Sequence, residues 1–146
     1  MARKEEPIHF GVNEIARVPV GAEIRGGVMI SAGDIRVDGN FFGKILSHGK
    51  IVLGDGAVVD GDVLCRNADI SGRFSGKMIV GDLLTLTRTS DFKGLLSTAH
   101  ICIENGAAYN GVCKMISEEE FAELTAEFEK ALYDAGSGDE PEDEPL

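Results

Sequence analysis

The chain has 146 residues, 19 of them glycine, three cysteine and none tryptophan, and a formal net charge of −11. That length suits one domain with a real core plus tails. No run of eighteen apolar residues offers a membrane-spanning helix, and three cysteines without a CxxC spacing argue against a disulfide framework or a zinc site and for a reducing cytoplasm.

The charge is local. Residues 117–146 carry 12 acidic side chains and one lysine, whereas residues 1–116 carry 13 of each sign, so the body offers no basic stripe for nucleic acid. In chain order, residues 1–19 are expected to form an N-terminal tail. Its opening, "MARKEEPIHF", has two basic residues and no apolar stretch, so it does not read as a secretory signal.

From residue 20 to residue 116 the chain repeats. Glycines recur at Gly26, Gly43, Gly61, Gly76, Gly94 and Gly111, at intervals of 17, 18, 15, 18 and 17. Four residues before each glycine stand Ala22, Gly39, Ala57, Gly72, Ser90 and Ala107, all small. Two before stand Ile24, Phe41, Val59, Phe74, Phe92 and Tyr109, all aromatic or β-branched. Two after stand Val28, Ile45, Val63, Met78, Leu96 and Cys113, all apolar, and four after come Ile30, Ser47, Cys65, Val80, Thr98 and Met115. The residues just before the glycines are Arg25, Phe42, Asp60, Ser75, Lys93 and Asn110. This is the period-2 alternation of a strand with one buried face.

A second strand begins seven to nine residues past each glycine, with apolar pairs Ile35/Val37, Ile51/Leu53, Ala68/Ile70, Leu84/Leu86 and Ile101/Ile103. Short strands on a fixed period, with like residues in register, predict an all-β parallel solenoid of about six coils. At about 4.8 Å per coil it would be a rod roughly 29 Å long. An antiparallel sandwich would also alternate, but it would not require matched columns.

The phrases "DIRVDGNFFGKI", "GKIVLGDGAVVDGDV", "ADISGRFSGKM" and "GAAYNGVCKM", in that order, make the segment from Val20 to Met115 resemble a bactofilin domain. The resemblance implies a right-handed, roughly triangular β-helix at residues 20–116. It implies self-assembly into filaments without nucleotide or other cofactor, through contacts between coil ends, and scaffolding roles in cell shape or the placement of cell-wall enzymes or other cytoskeletal proteins. Its implied place is cytoplasmic and cytoskeletal. Some members of the family attach to membrane through an apolar N-terminal segment; "MARKEEPIHF" departs from that pattern and gives a peripheral place at the inner membrane no support. Tyr109 matches the aromatic position of the family's final coil, which contributes to the filament contact.

Elementary physics points the same way. Open solenoid ends show unpaired backbone and apolar columns, and terminal repeats usually carry a polar cap. Here neither end coil degenerates into charge. The expected polymerisation contacts are Ile24, Val28 and Ile30 at one end and Tyr109, Cys113 and Met115 at the other.

Within the doublet Phe41–Phe42, Phe41 belongs to the inward aromatic column and Phe42 to the outward one. Phe42, with Met29, Leu46, Leu64 and Ile79, is expected to form an apolar patch on the side of the rod, which ordinarily marks an interface. Residues 117–133 change character: Ser117 and Glu120 form a capping box, and Phe121, Leu124, Phe128 and Leu132 follow at helical spacing. This short amphipathic helix could dock on its own rod, bind a partner or cap the C-terminal end. Residues 134–146 read as a disordered acidic tail.

Enzymatic readings have less support. A period near 18 also fits the left-handed β-helix of hexapeptide acyltransferases, but strict hexads do not run. His48 and His100 sit at a turn and before a strand, without the partners of a catalytic set. No calcium-binding repeat, phosphate loop or dinucleotide fingerprint occurs. A structural homopolymer is the first expectation; an acyltransferase-like enzyme or ligand-binding solenoid is the alternative.

Overall fold

The computed structural model describes residues 8–10 and 16–136, with side chains described from residue 16 to residue 132. The strands are β1 (Ile8–Phe10), β2 (Ala16–Val18), β3 (Glu23–Ser31), β4 (Ile35–Val37), β5 (Asn40–Ser47), β6 (Lys50–Leu53), β7 (Val58–Cys65), β8 (Asn67–Ile70), β9 (Arg73–Leu86), β10 (Asp91–Ile103) and β11 (Ala108–Met115), followed by the helix α1 (Glu118–Gly136).

The strands wind into a parallel β-solenoid of about six turns, each turn pairing in parallel with the next. A turn consists of one short and one long stretch of strand. The short stretches are β2, β4, β6, β8 and the second halves of β9 and β10. The predicted columns are real ladders: Ile24, Phe41, Val59, Phe74, Phe92 and Tyr109 lie side by side, as do Ile35, Ile51, Ala68, Leu84 and Ile101. Phe41, Phe74 and Phe92 are fully buried; Phe92 stacks 5.0 Å from Phe74 and 5.2 Å from Tyr109.

The glycine column has a steric cause. Gly61, Gly76, Gly94 and Gly111 all have positive φ, and a Cβ on any of them would overlap the carbonyl oxygen of the glycine in the preceding turn. The small column marks a repeated tight turn, closed by the amides of Ala22, Ala57, Ser90 and Ala107 donating to the carbonyls of Pro19, Gly54, Thr87 and Glu104. At another corner, buried hydroxyls satisfy turn backbone: Ser47 Oγ donates to the Gly33 carbonyl at 2.7 Å and accepts from the Gly49 amide at 3.0 Å.

One predicted register is wrong by a residue. The pairing of β3 with β5 shifts between Arg25 and Gly27, so Gly27, not Gly26, lies opposite Gly43. Gly26, at φ 72°, is an inserted residue. Because side chains alternate, one insertion reverses every face that follows it. Met29 therefore pairs with Ile45 and points into the rod, 2% exposed, while Val28 and Ile30 point outward.

The expected N-terminal tail of residues 1–19 contains two paired strands. β2 repeats the apolar pair of the short stretch through Ala16 and Val18, opposite Ile35 and Val37. β1 pairs with β3, Ile8 opposite Met29 and Phe10 opposite Ser31. Residues 1–7 and 11–15 of that expected tail, and residues 137–146 of the expected acidic tail, lie outside the described residues.

Candidate functional site

The two ends of the rod differ. At the C-terminal end, β11 pairs on one side only among the described residues, with β10. Its inward columns lose their cover: Tyr109 is half-buried, Cys113 is exposed and Met115 is 53% exposed. Beside it Ile103 is 51% exposed. The ring of Tyr109 is the last in the aromatic stack, and its hydroxyl is buried with no hydrogen-bond partner among the described residues. Burial pushes that phenol above its ordinary pKa, with Cys113 adding to the shift.

At the N-terminal end three of the inward side chains are as buried as those at mid-rod: Ala16 and Val18 are 1% exposed and Met29 is 2% exposed. Ile24, expected there as an end contact, is half-buried. Val28 and Ile30, expected beside it, are on the outer face instead, for the register reason above.

The side of the rod is occupied. Val28, Ile30, Leu46, Leu64 and Ile79 form an outer apolar strip, and α1 lies on it through Phe121, Leu132, Leu124 and Phe128, with Ile116 completing the cluster. Ser117 and Glu120 exchange the two capping hydrogen bonds at 3.0 and 3.1 Å, which starts the helix one residue after the cap. Arg66 then fixes the first turn: its guanidinium donates to both carboxylate oxygens of Glu118 at 2.8 and 2.9 Å and lies 5.3 Å from the Phe121 ring. Further along, Glu129 is 4.0 Å from His48, and Leu132 shares a cleft with Lys44. The helix therefore runs back from the C-terminal end toward the N-terminal turns. It leaves the C-terminal end uncapped among the described residues.

Of the expected lateral patch, Leu46, Leu64 and Ile79 come together beneath the helix. Met29 is in the interior, and Phe42 stands apart, with the Arg25 guanidinium 4.4 Å over its ring.

Comparison with known proteins agrees with this geometry. The bactofilin family profile, described as polymer-forming cytoskeletal, matches residues 17–114. The chain belongs to the bactofilin family. It is similar to bactofilin BacO of Myxococcus xanthus (strain DK1622), 27% identical over 86 residues, which is 59% of this chain and 68% of that protein. No solved structure matches it.

This bactofilin is thus a structural, filament-forming protein built on a β-solenoid, and nothing in its geometry favours the acyltransferase-like alternative. Its cysteines are free, and burial raises the Cys65 thiol far above its ordinary pKa, away from nucleophilic use. Among the described residues no helix is long and apolar enough to cross a membrane. Reading by columns missed two features of the bactofilin rod: the pairing of β1 over one end, and the strip formed by Val28 and Ile30. The first was legible only as a short apolar alternation in "PIHF"; the second was hidden by the two adjacent glycines, either of which could anchor the column.

Proposed function

We propose that this bactofilin polymerises without nucleotide by stacking rods end to end, and that the C-terminal turn, through Tyr109, Cys113 and Met115, supplies one contact while the Ile24 edge of the first turn belongs to the other. One observation carries the reading: β11 is an eight-residue edge strand beside apolar columns left half open, and the adjacent helix lies on the side of the rod rather than over this end. An unprotected edge of that length templates pairing with another chain. Stacking would bury the exposed rows and give the edge backbone partners.

The filament then serves as a scaffold for cell shape or cell-wall machinery, in the cytoplasm, with no catalytic step of its own. Cell-wall enzymes or other cytoskeletal proteins would be recruited along its side, where Phe42 and the outer face of α1 are presented. The experiment is electron microscopy and sedimentation of the purified full chain with neither nucleotide nor metal added. Wild type should form uniform filaments and Tyr109→Arg should stay unpolymerised with an intact β-sheet spectrum. Filaments from Tyr109→Arg would remove the C-terminal contact from the proposal, and discrete trimers from wild type would favour the enzyme-like alternative.

A further inference from the structure

We propose that β1 and a second copy of this chain compete for the same backbone, the Met29–Ser31 edge of β3, so that growth at the N-terminal end of the rod requires β1 to leave. The inference rests on the end-to-end reading above and adds a gate to one of the two ends.

Inside the rod, successive long strands meet along nearly their whole length. β3 pairs with β5 from Glu23 to Ser31, and β10 with β11 from Asp91 to Thr98. A second rod continuing the sheet past the first turn needs the outer edge of β3 over that same span. β1 already takes its last three residues, Ile8 opposite Met29, His9 opposite Ile30 and Phe10 opposite Ser31. An incoming strand is left with Glu23–Val28, too short a ladder to match the long strands within the rod.

Burial gives a second, independent sign. Ala16, Val18 and Met29 are inward residues of the end turn, yet they are 1–2% exposed, whereas Ile103 and Met115 at the opposite end are more than half exposed. The N-terminal end is covered along the columns of Ala16, Val18 and Met29 and half open at Ile24, whereas the C-terminal end is open at Ile103 and Met115. A three-residue strand is a short edge, the device by which sheets blunt pairing with other chains. It is also held on one side only, by β3, among the described residues, which places it at the low-stability end of the fold. Assembly at this end is therefore weakened by the fraction of molecules in which β1 is in place.

The experiment compares the full chain with two release variants, Ile8→Pro/Phe10→Pro, which removes strand amides, and the milder Ile8→Gly/Phe10→Gly. Circular dichroism confirms that each is folded. Sedimentation should show the critical concentration falling by about tenfold in the proline variant and less in the glycine variant, with longer filaments under the microscope. If wild type polymerises and both release variants polymerise at the same or a higher concentration, the gate is wrong and the end-to-end reading survives. If neither wild type nor release variants polymerise at any concentration, both readings fall.

Discussion

The Phe121 ring fills the space that Gly81 leaves: a Cβ at Gly81 would come within 2.6 Å of the ring. This contact is one of the points at which the helix meets the solenoid, at a position where the sequence has no side chain. Gly81→Val should therefore lift the first turn of α1 while leaving the turns of the rod paired. Phe121→Ala should cost about 3 kcal/mol of docking, at the low end for a buried phenylalanine. Limited proteolysis within residues 118–132, against an unchanged core resistant to protease, is the check.

Helix docking should also depend on pH. Hydrogen bonding to Arg66 holds the Glu118 carboxyl below its ordinary range, and the Ser117 amide does the same for Glu120. A carboxyl whose folded pKa is depressed contributes stability above its unfolded value, and that contribution is lost as pH falls through the folded value. The helix should thus be fastened at neutral pH and loosen below the ordinary value of 4.5, without effect on the alkaline side. Hydrogen exchange of α1 at pH 7 and pH 3.5 would show it, and Glu118→Gln should reduce the difference, leaving the part that Glu120 carries.

Tyr109 separates stability from assembly. Its hydroxyl is buried without a partner among the described residues, and an unsatisfied buried hydroxyl costs about 1–3 kcal/mol. Tyr109→Phe should leave the isolated rod as stable as wild type or up to about 1 kcal/mol more stable, in melts below the polymerisation concentration. A clear drop in melting temperature would mean that the hydroxyl has a partner inside the rod.

Glycines should be intolerant of substitution within the ladder and tolerant at an exposed turn. Gly94→Ala places a methyl group on the Gly76 carbonyl at a φ of 128°, and should cost more than ~3 kcal/mol or prevent folding. At Gly56 a Cβ would meet nothing within 4 Å, so this position should accept alanine with little change. Thermal unfolding of the two single variants makes the comparison.

Phe42 is the remaining side contact. The Arg25 guanidinium over its ring contributes about 0.5–1 kcal/mol at a site of this exposure. Phe42→Ser should leave single filaments intact and change their bundling, seen as filament width in micrographs and pelleting at low centrifugal force. Unaltered bundles would mean that the ring serves only the Arg25 contact.

Periodicity by itself determined most of the rod. Column matching over residues 20–116 requires coils that stack in register, because a row of like residues is stable only when each packs on its equivalent in the next turn. The assignment of Phe41 to the interior and Phe42 to the outside follows from alternation alone, and the capping box of Ser117 and Glu120 is local chemistry. Tertiary structure decided the rest. Gly26 and Gly27 are equivalent as letters, and only strand pairing reveals which one is inserted, so the faces of Val28, Met29 and Ile30 could not be read from spacing. An amphipathic pattern says that α1 must cover something without saying what. The strip from Ile30 to Ile79 and the gap at Gly81 exist only once four turns are stacked. The pairing of β1 with β3 falls outside the period of the repeat and is made through backbone groups that every sequence carries alike.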